Sequence, residues 1–450
     1  MTKARQIGLF WVLLCCGLSA LWGVFLDRAS RDGKGDFKGV YYDARCLLEH
    51  RDPYKAGEPL RVYLAERQDR GFLSVVLQRT LAVDVYLPTT SIFIAPFAML
   101  SYGIAQNLWM ILTAGSLILA AFLIGNSAAS YAPVLSGALI CFVLINSEAI
   151  FANGNTAGIV VSLCVVAVWC FLEEKFVWAG ILCLSVSLAI KPHDAGTVWL
   201  YFLLAGGIYR KRALQTLVVT TCLGLATLVW ITPIAPHWMQ ELHSNILVNQ
   251  LPGEVNDPGP VTAHASGPSM VISLQSTLSV FRDDPRFYNL ASYLICGSLL
   301  LVWTVRTIRS RFSPANAWFA LAAVVPLTLL VTYHRPYDAK LLLLAVPACA
   351  MLWVEGGPLR WFALLVTAMG IVSTSDIPLT ILIILTGALH IPTAGQSAQM
   401  VKFVLMRPTP LILLAMGIFY LWVYVRYDSG RVATPEPAVS GQTPLAPTAA

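Results

Sequence analysis

The sequence predicts an all-α polytopic membrane protein, and three observations lead to this fold class. Of the 450 residues, 57% are hydrophobic and only 12% are charged, whereas soluble domains have about 45–50% apolar and about 25% charged residues. The mean hydropathy is +0.69. The apolar residues gather in runs of about 20, the length that spans a bilayer as a helix. A soluble globular enzyme, a disordered chain and a disulfide scaffold are therefore excluded.

About 12 to 13 apolar runs are candidate spanning helices. They begin near Ile7, Ile104, Tyr131, Ala157, Phe176, Ala195, Ala213, Tyr288, Ala315, Ala339, Leu359, Ile377 and Pro408. The first run lacks a small-residue cleavage site and is followed by charged residues, which indicates a span and not a signal peptide. The stretch 87–100 is apolar but carries two prolines, so we predict a re-entrant or interfacial segment there.

Lysine and arginine in the short loops predict the orientation. Positive residues lie before the first span, at 210–212 and at 306–311, and an even number of spans separates these clusters. They therefore share one face, which the positive-inside rule makes cytoplasmic together with the N-terminus. Residues 1–428 are then one membrane domain, and the Pro-, Thr- and Ala-rich tail 429–450 is expected to be disordered.

The opposite, outer face receives two long loops and three short connections. The long loops are 27–103 and 233–287, and the connections are 151–156, 190–194 and 333–338. Between Asp27 and Asp84 we count 11 basic and 10 acidic residues. This nearly balanced charge is not that of a nucleic-acid-binding arm, so no nucleic-acid partner is expected.

The first outer loop carries Asp36, Tyr41, Tyr42 and Asp43 close to the first span. A spacing of seven residues places Asp36 and Asp43 on one face if the segment is helical. Such a helix would lie at the membrane interface with the two tyrosines as belt aromatics. The alternative is a solvated amphipathic loop.

Two of the short outer connections are rich in cations. They contribute the candidate ligand-binding residues Lys191, His193, His334, Arg335, Tyr337 and Asp338. A cationic pocket beside the lipid suits a lipid-linked phosphate, and arginine in particular suits phosphate oxygens. The alternatives are a snorkelling lysine at 191 and a tight polar turn with an Arg–Asp pair at 335–338.

Three further residues of the third span and its following turn are candidates. Glu148 is a carboxylate within an apolar span, and Asn153 and Asn155 flank a glycine. Asn-Gly is also an ordinary turn signal. We find no Walker, GxGxxG or HExxH motif and no zinc spacing among the histidines, so neither a cofactor nor a metal is expected.

The ordered set of motifs resembles glycosyltransferase family 87. Its members have the C-type glycosyltransferase (GT-C) fold, use a sugar attached to a polyprenyl monophosphate, and are typified by polyprenol-phosphate-mannose-dependent mannosyltransferases. The segments that carry the resemblance are Asp36-Phe37, Tyr41-Tyr42, Asp52-Pro53-Tyr54, Tyr86-Leu87-Pro88, Asn153-Gly154-Asn155, Ala189-Ile190-Lys191-Pro192 and Tyr337-Asp338. The resemblance implies a GT-C-like bundle, an inverting reaction, and Asp36 as the general base in a helical first outer loop.

The leading hypothesis is a polyprenyl-phosphate-sugar-dependent hexosyltransferase, mannose being the expected sugar, in a bacterial inner membrane. Its partners would be the lipid-linked donor, a glycolipid or glycan acceptor, and membrane lipids. The alternative is a multi-pass lipid or solute transporter or flippase, for which inverted repeats and midplane charges are expected but are not evident. A third possibility is a non-catalytic membrane protein that keeps only the fold.

Overall fold

The computed structural model describes residues 35–66, 75–252, 254, 256–259, 271–375 and 408–427, together with Phe10, Gly17 and Leu73. Every regular element in these ranges is a helix. In chain order the α-helices are α1 Gly35–Leu48, α2 Glu58–Glu66, α3 Val75–Ala82, α4 Pro88–Ala98, α5 Tyr102–Ala129, α6 Pro133–Ile145, α7 Glu148–Asn153, α8 Ala157–Leu172, α9 Val177–Ile190, α10 Pro192–Ala205, α11 Gly207–Ile231, α12 Trp238–Asn249, α13 Leu274–Leu278, α14 Pro285–Arg309, α15 Pro314–Val331, α16 Val346–Glu355, α17 Leu359–Ser373 and α18 Pro408–Arg426. A 3₁₀ helix, Asp338–Ala345, precedes α16.

The predicted all-α membrane fold is confirmed. Within the described residues, six helical segments are long and apolar enough to cross a membrane: α5, α6 continued through α7, α11, α14, α15 and α18. Three shorter apolar helices, α8, α9 and α17, accompany them. The spans predicted from Ile7 and Ile377 and the tail 429–450 lie outside the described residues.

Helix α1 confirms the predicted helical segment of the first outer loop, but the expected role of its tyrosines as belt aromatics is wrong. Tyr41 is 1% exposed and Tyr42 is 5% exposed, and Phe37 on the same helix is fully buried. Their rings pack against Tyr102 at the start of α5. Aromatic rings of this size contribute more by burial against one another than by contact with headgroups, so α1 is fixed to the bundle.

The apolar stretch 87–100 is a short helix and not a span, as its two prolines predict. Pro88 begins α4, where its missing N–H costs nothing. Two hydroxyls at this helix start reach the end of α9: Thr89 Oγ1 donates to the carbonyl of Ala189, and Thr90 Oγ1 donates to that of Ile190 over 3.4 Å. Helix α4 thus supplies partners for carbonyls that the end of α9 leaves unpaired.

The two long loops contact each other, as expected for segments on one membrane face. Asn245 of α12 donates through Nδ2 to the carbonyls of Tyr54 (3.0 Å) and Asp84 (2.9 Å). Below this contact, Leu47, Tyr54 and Ile231 belong to one buried apolar cluster. The Ile231 end of α11 therefore lies on the face of the outer loops.

The span predicted from Ala339 is not one regular helix, which corrects the sequence prediction. Residues Asp338–Ala345 are wound as a 3₁₀ helix, and α16 follows for only ten residues. Polar contacts anchor this segment: Lys340 Nζ donates to the carbonyl of Asn146, and Asp338 pairs with Lys191. Hydropathy records only that the segment is buried and carries no information on these anchors.

Candidate functional site

Asp36 lies in the first turn of α1 and is held by Asn155. Asn155 Nδ2 donates to Asp36 Oδ2 over 2.8 Å. Exchanging the oxygen and nitrogen of the amide would break both hydrogen bonds, because Asn155 Oδ1 accepts the backbone N–H of Ala157, also over 2.8 Å. The nitrogen of the amide must therefore face the carboxylate.

The turn that carries Asn155 is fixed by glycine. Gly154 ends α7 with a φ of 65°, a left-handed conformation that costs a side-chain-bearing residue about 1–2 kcal/mol. Its carbonyl accepts the indole N–H of Trp109 over 2.8 Å. At Gly158, on the first turn of α8, a Cβ would lie only 2.5 Å from Ile150 Cγ2. The Asn-Gly turn signal thus has a structural cause that also positions the amide beside Asp36.

Lys191 joins Asn155 to the late hairpin. Pro192 starts α10, and proline restricts the residue before it to non-helical conformations, so the chain breaks at Lys191. Lys191 Nζ lies 2.9 Å from Asp338 Oδ1 and 3.3 Å from Asn155 Oδ1. The side chain is buried, not snorkelling. Burial opposes its charge, but the carboxylates of Asp338 and Asp194 more than compensate and raise the pKa of Lys191.

Asp194 and His334 form a second charged pair beside Lys191. His334 Nε2 lies 3.2 Å from Asp194 Oδ1, and both side chains are fully buried. When the imidazole is protonated, this contact is an ion pair. His334 Nδ1 lies 3.1 Å from the carbonyl of Thr332, to which it can donate. Burial works against the charged imidazolium, but Asp194 outweighs it and raises the pKa of His334.

His193 completes the only group of three in the described residues that has the geometry to hold a metal ion. Its ring lies 5.1 Å from that of His334 between centroids, and one ligand atom each of His193, Asp194 and His334 lies within 4.8 Å of the others. Lys191 Nζ is 3.9 Å from Asp194 Oδ2 and already brings a positive charge to this carboxylate.

The hairpin 333–338 is a tight polar turn, but the side chain of Asp338 pairs with Lys191 and not with the side chain of Arg335. Asp338 Oδ2 accepts the backbone N–H of Arg335 over 2.8 Å, while its other oxygen pairs with Lys191. Arg335 Nη2 reaches Asn256 Oδ1 over 3.3 Å and its guanidinium lies over the ring of Tyr333. The ring of Tyr337 lies 5.1 Å from Lys191 Nζ.

The assembled site has a carboxylate at one end and cations at the other, with one amide between them. Such a site can accept a proton from a hydroxyl at Asp36 and stabilise a phosphate leaving group at Lys191, His334 and Arg335. The helices that carry these residues also make it a membrane site.

The model of glycosyltransferase family 87 matches residues 85–332, more than half of the chain. The chain belongs to this family. It is therefore a glycosyltransferase, and the transporter alternative is not supported. Searches of curated proteins and of solved structures gave no match.

The glycosyltransferase brings most of the predicted site residues together. Asp36, Asn155, Lys191, Asp338 and Tyr337 are joined by the contacts described above, and Lys191 also approaches Asp194 and hence His334, His193 and the neighbouring Arg335. The family match covers Asn155 and Lys191. Asp36 lies before the matched range and His334 lies just after it, so their membership of the site rests on the contacts described above.

Other predicted residues lie elsewhere. Asn153 is exposed at the end of α7, and the side chain of Glu148 is not among the described ones. Tyr41 and Tyr42 lie in the aromatic core between α1 and α5. Asp43 is buried two turns beyond Asp36, where it stays a candidate because it borders the same helix face.

Two buried aspartates of this region escaped the sequence analysis. Asp194 follows the Lys-Pro-His motif directly, and its proximity to two histidines was not used. Asp84 is 2% exposed; its Oδ1 accepts the N–H of Tyr86, the same turn that Asp52 makes with Tyr54. The repeated Asp-x-Tyr pattern was the available signal. Burial raises the pKa of Asp84 to about 7, and burial together with the charge of Asp84 raises the pKa of Asp43.

Proposed function

We propose that the enzyme transfers a hexose, with mannose the expected sugar, from a polyprenyl-phosphate sugar to a glycolipid or glycan acceptor, with inversion, at the outer face of a bacterial inner membrane. The N-terminus is then cytoplasmic. The observation that carries the proposal is the chain of contacts Asp36–Asn155–Lys191–Asp338. It holds a base and a phosphate-binding cation at a fixed separation, which is what a displacement at the anomeric carbon requires.

In the proposed reaction, the acceptor hydroxyl attacks the anomeric carbon of the donor sugar as Asp36 accepts the hydroxyl proton. The new glycosidic bond forms while the bond between the anomeric carbon and the phosphate oxygen breaks. The electron pair of that bond leaves with the polyprenyl phosphate. Its negative charge is stabilised by Lys191 and by the neighbouring His334 and Arg335.

The roles of the remaining residues follow from their places in the site. Asn155 orients Asp36, and Asp338 holds Lys191 by its ion pair. Asp194 raises the pKa of His334 and so favours its charged form. Asp43, two turns beyond Asp36 on α1, is assigned to the hydroxyls of the acceptor or of the sugar. All three carboxylates other than Asp36 thus act through binding or orientation.

The test of the proposal is Asp36→Asn in the purified full-length protein with a matched polyprenyl-phosphate sugar. Asparagine keeps an oxygen that can accept from Asn155, so folding should be unchanged. Because general-base catalysis contributes roughly 10²–10⁴-fold, we expect turnover to fall by at least about a hundredfold while donor binding persists. Glu49→Gln, which removes an exposed carboxylate after α1, is the control. Near-normal turnover of Asp36→Asn would remove Asp36 from the mechanism.

A further inference from the structure

A cavity of about 540 Å³ opens at the membrane end that lies opposite the site. It is lined by residues of two helices, among them Trp178 near the start of α9 and Arg210, Lys211, Leu214 and Val218 on the first turns of α11. Helix α11 has 25 residues, which is roughly 37 Å at 1.5 Å per residue. Its other end contacts the outer loops. The cavity and the site are thus separated by the thickness of the membrane.

The lining residues change from charged to apolar along one face of α11. Lys211, Leu214 and Val218 are spaced by three and four residues and so lie one above the other. Leu214 is 47% exposed and Val218 is 62% exposed, as expected for side chains that face acyl chains. The two cations lie near the start of α11, the end at which a spanning helix meets the headgroups.

The cations of the cavity are not neutralised by protein carboxylates. Lys211 forms no salt bridge within the part of the chain that the structure describes, and Arg210 Nε donates to a carbonyl, that of Leu203. The two glutamates of the turn before α9 are paired with other cations: Glu174 with Arg212 and Glu173 with Lys175. Arg212 differs from its neighbours, since it is buried and donates to the carbonyl of Phe171 over 2.8 Å.

We propose that this cavity binds one anionic phospholipid of the leaflet opposite the site. Its phosphate would lie between Arg210 and Lys211, and an acyl chain would follow Leu214 and Val218. Basic pockets between spanning helices bind anionic headgroups in this way, and the exposed indole of Trp178 suits the interface. A zwitterionic lipid would leave the two positive charges uncompensated. Occupancy would fix the start of α11 against α9.

The test is native mass spectrometry of the full-length protein, titrated with phosphatidylglycerol or with phosphatidylcholine of the same chain length. We expect one phosphatidylglycerol to bind with clear preference, and Arg210→Gln with Lys211→Gln to abolish the preference. The expected loss is about thirtyfold in affinity (about 2 kcal/mol), since each cation near a headgroup contributes on the order of 1 kcal/mol. Lys211→Gln alone avoids the Arg210 backbone contact and should give part of this loss.

The matched control is Arg309→Gln with Arg311→Gln, which removes two exposed cations outside the cavity, one at the last residue of α14 and one just after it. It should keep the preference for phosphatidylglycerol. Equal loss in both double variants would show diffuse surface attraction and overturn the proposal, as would equal binding of the two lipids. Competition by inorganic phosphate at millimolar concentration would identify a site for free anions and would also overturn it.

Discussion

The side chain of Asn155 contacts three groups: Asp36, Lys191 and the backbone of Ala157. Because its oxygen is occupied by a backbone N–H, the orientation of the amide is set by the fold and not by the substrates. The carboxylate of Asp36 is therefore oriented before any ligand arrives. Preorganised groups of this kind lower the barrier because their geometry is paid for during folding.

Asn155→Ala should lower kcat by roughly a hundredfold, since small misplacement of a catalytic group has effects of that size. The donor KM should change less, because the cations remain. Steady-state kinetics measure both constants. Asn153→Ala removes an exposed amide two residues earlier and should behave like the wild type. A wild-type kcat for Asn155→Ala would show that Asp36 needs no orienting donor.

Asp194→Asn should shift the alkaline limit of donor use to lower pH. The carboxylate of Asp194 raises the pKa of His334, so the imidazolium persists to higher pH in the wild type. Its charge is present below this pKa and is lost as the pH rises through it. The pH profile of kcat/KM for the donor measures the shift. An unchanged alkaline limb in the variant would exclude charged His334 from donor binding.

At the scale of helices, the site depends on the hydrogen bonds between the two outer loops. Asn245 of α12 donates to the carbonyls of the turns at Tyr54 and Asp84. Those turns precede α4, whose threonines in turn pair with the end of α9 next to Lys191. A continuous series of hydrogen-bonded elements thus joins α12 to the cationic end of the site.

Asn245→Ala should destabilise the protein by about 1–3 kcal/mol, because two buried carbonyls lose their donor. We expect a lower midpoint of thermal unfolding in detergent and a modest loss of turnover. Ser244→Ala, which changes the exposed preceding residue, should leave both unchanged. If Asn245→Ala had the unfolding midpoint of Ser244→Ala, the contact between the loops would carry no stability.

At the scale of the whole molecule, the pair Asp43 and Asp84 makes stability depend on pH. Burial raises the pKa of Asp84 to about 7, above about 3.9 for an unfolded aspartate. The fold therefore prefers the neutral acid. The stabilisation by the neutral carboxyl is fully present below about pH 4. Between about pH 4 and about pH 7 the unfolded chain is ionised while the folded protein still holds the proton, so the stabilisation is lost as the pH rises through the folded pKa.

Asp84→Asn should remove this loss of stability with rising pH, because asparagine can still accept the N–H of Tyr86 but does not ionise. We expect the unfolding midpoint of the wild type to fall between about pH 4 and about pH 7 and that of the variant to stay more nearly level. Asp52→Asn, at the equivalent turn before Tyr54, is the control for geometry. Parallel pH curves for the wild type and Asp84→Asn would place the pH dependence elsewhere.

The sequence predicted the six long spans that the structure describes and the shared face of the two long loops, because both depend on local composition. It did not predict that the run from Ala195 forms a helix of only 14 residues or that the run from Ala339 begins as a 3₁₀ helix. Runs of apolar residues give length, and lysines and arginines give sidedness. It also predicted that Asn155, Lys191 and Asp338 share a face. It could not predict that Lys191 pairs with Asp338 and not Arg335 with Asp338, because the choice depends on how spans 147 residues apart pack. The same holds for Asp84, whose burial is set by α1 and α12.

The pairing of Lys191 with Asp338 has a consequence for biogenesis. At about 5–20 residues per second of synthesis, the 147 residues between them take roughly 7–30 s to make. During this interval the ammonium group has emerged but its principal counter-ion has not. Placing a charged lysine inside hydrocarbon costs free energy, so we expect Lys191 to stay at the aqueous surface during this interval. The ion pair between Lys191 and Asp338, which belongs to the proposed site, therefore forms only after the late hairpin has been synthesised.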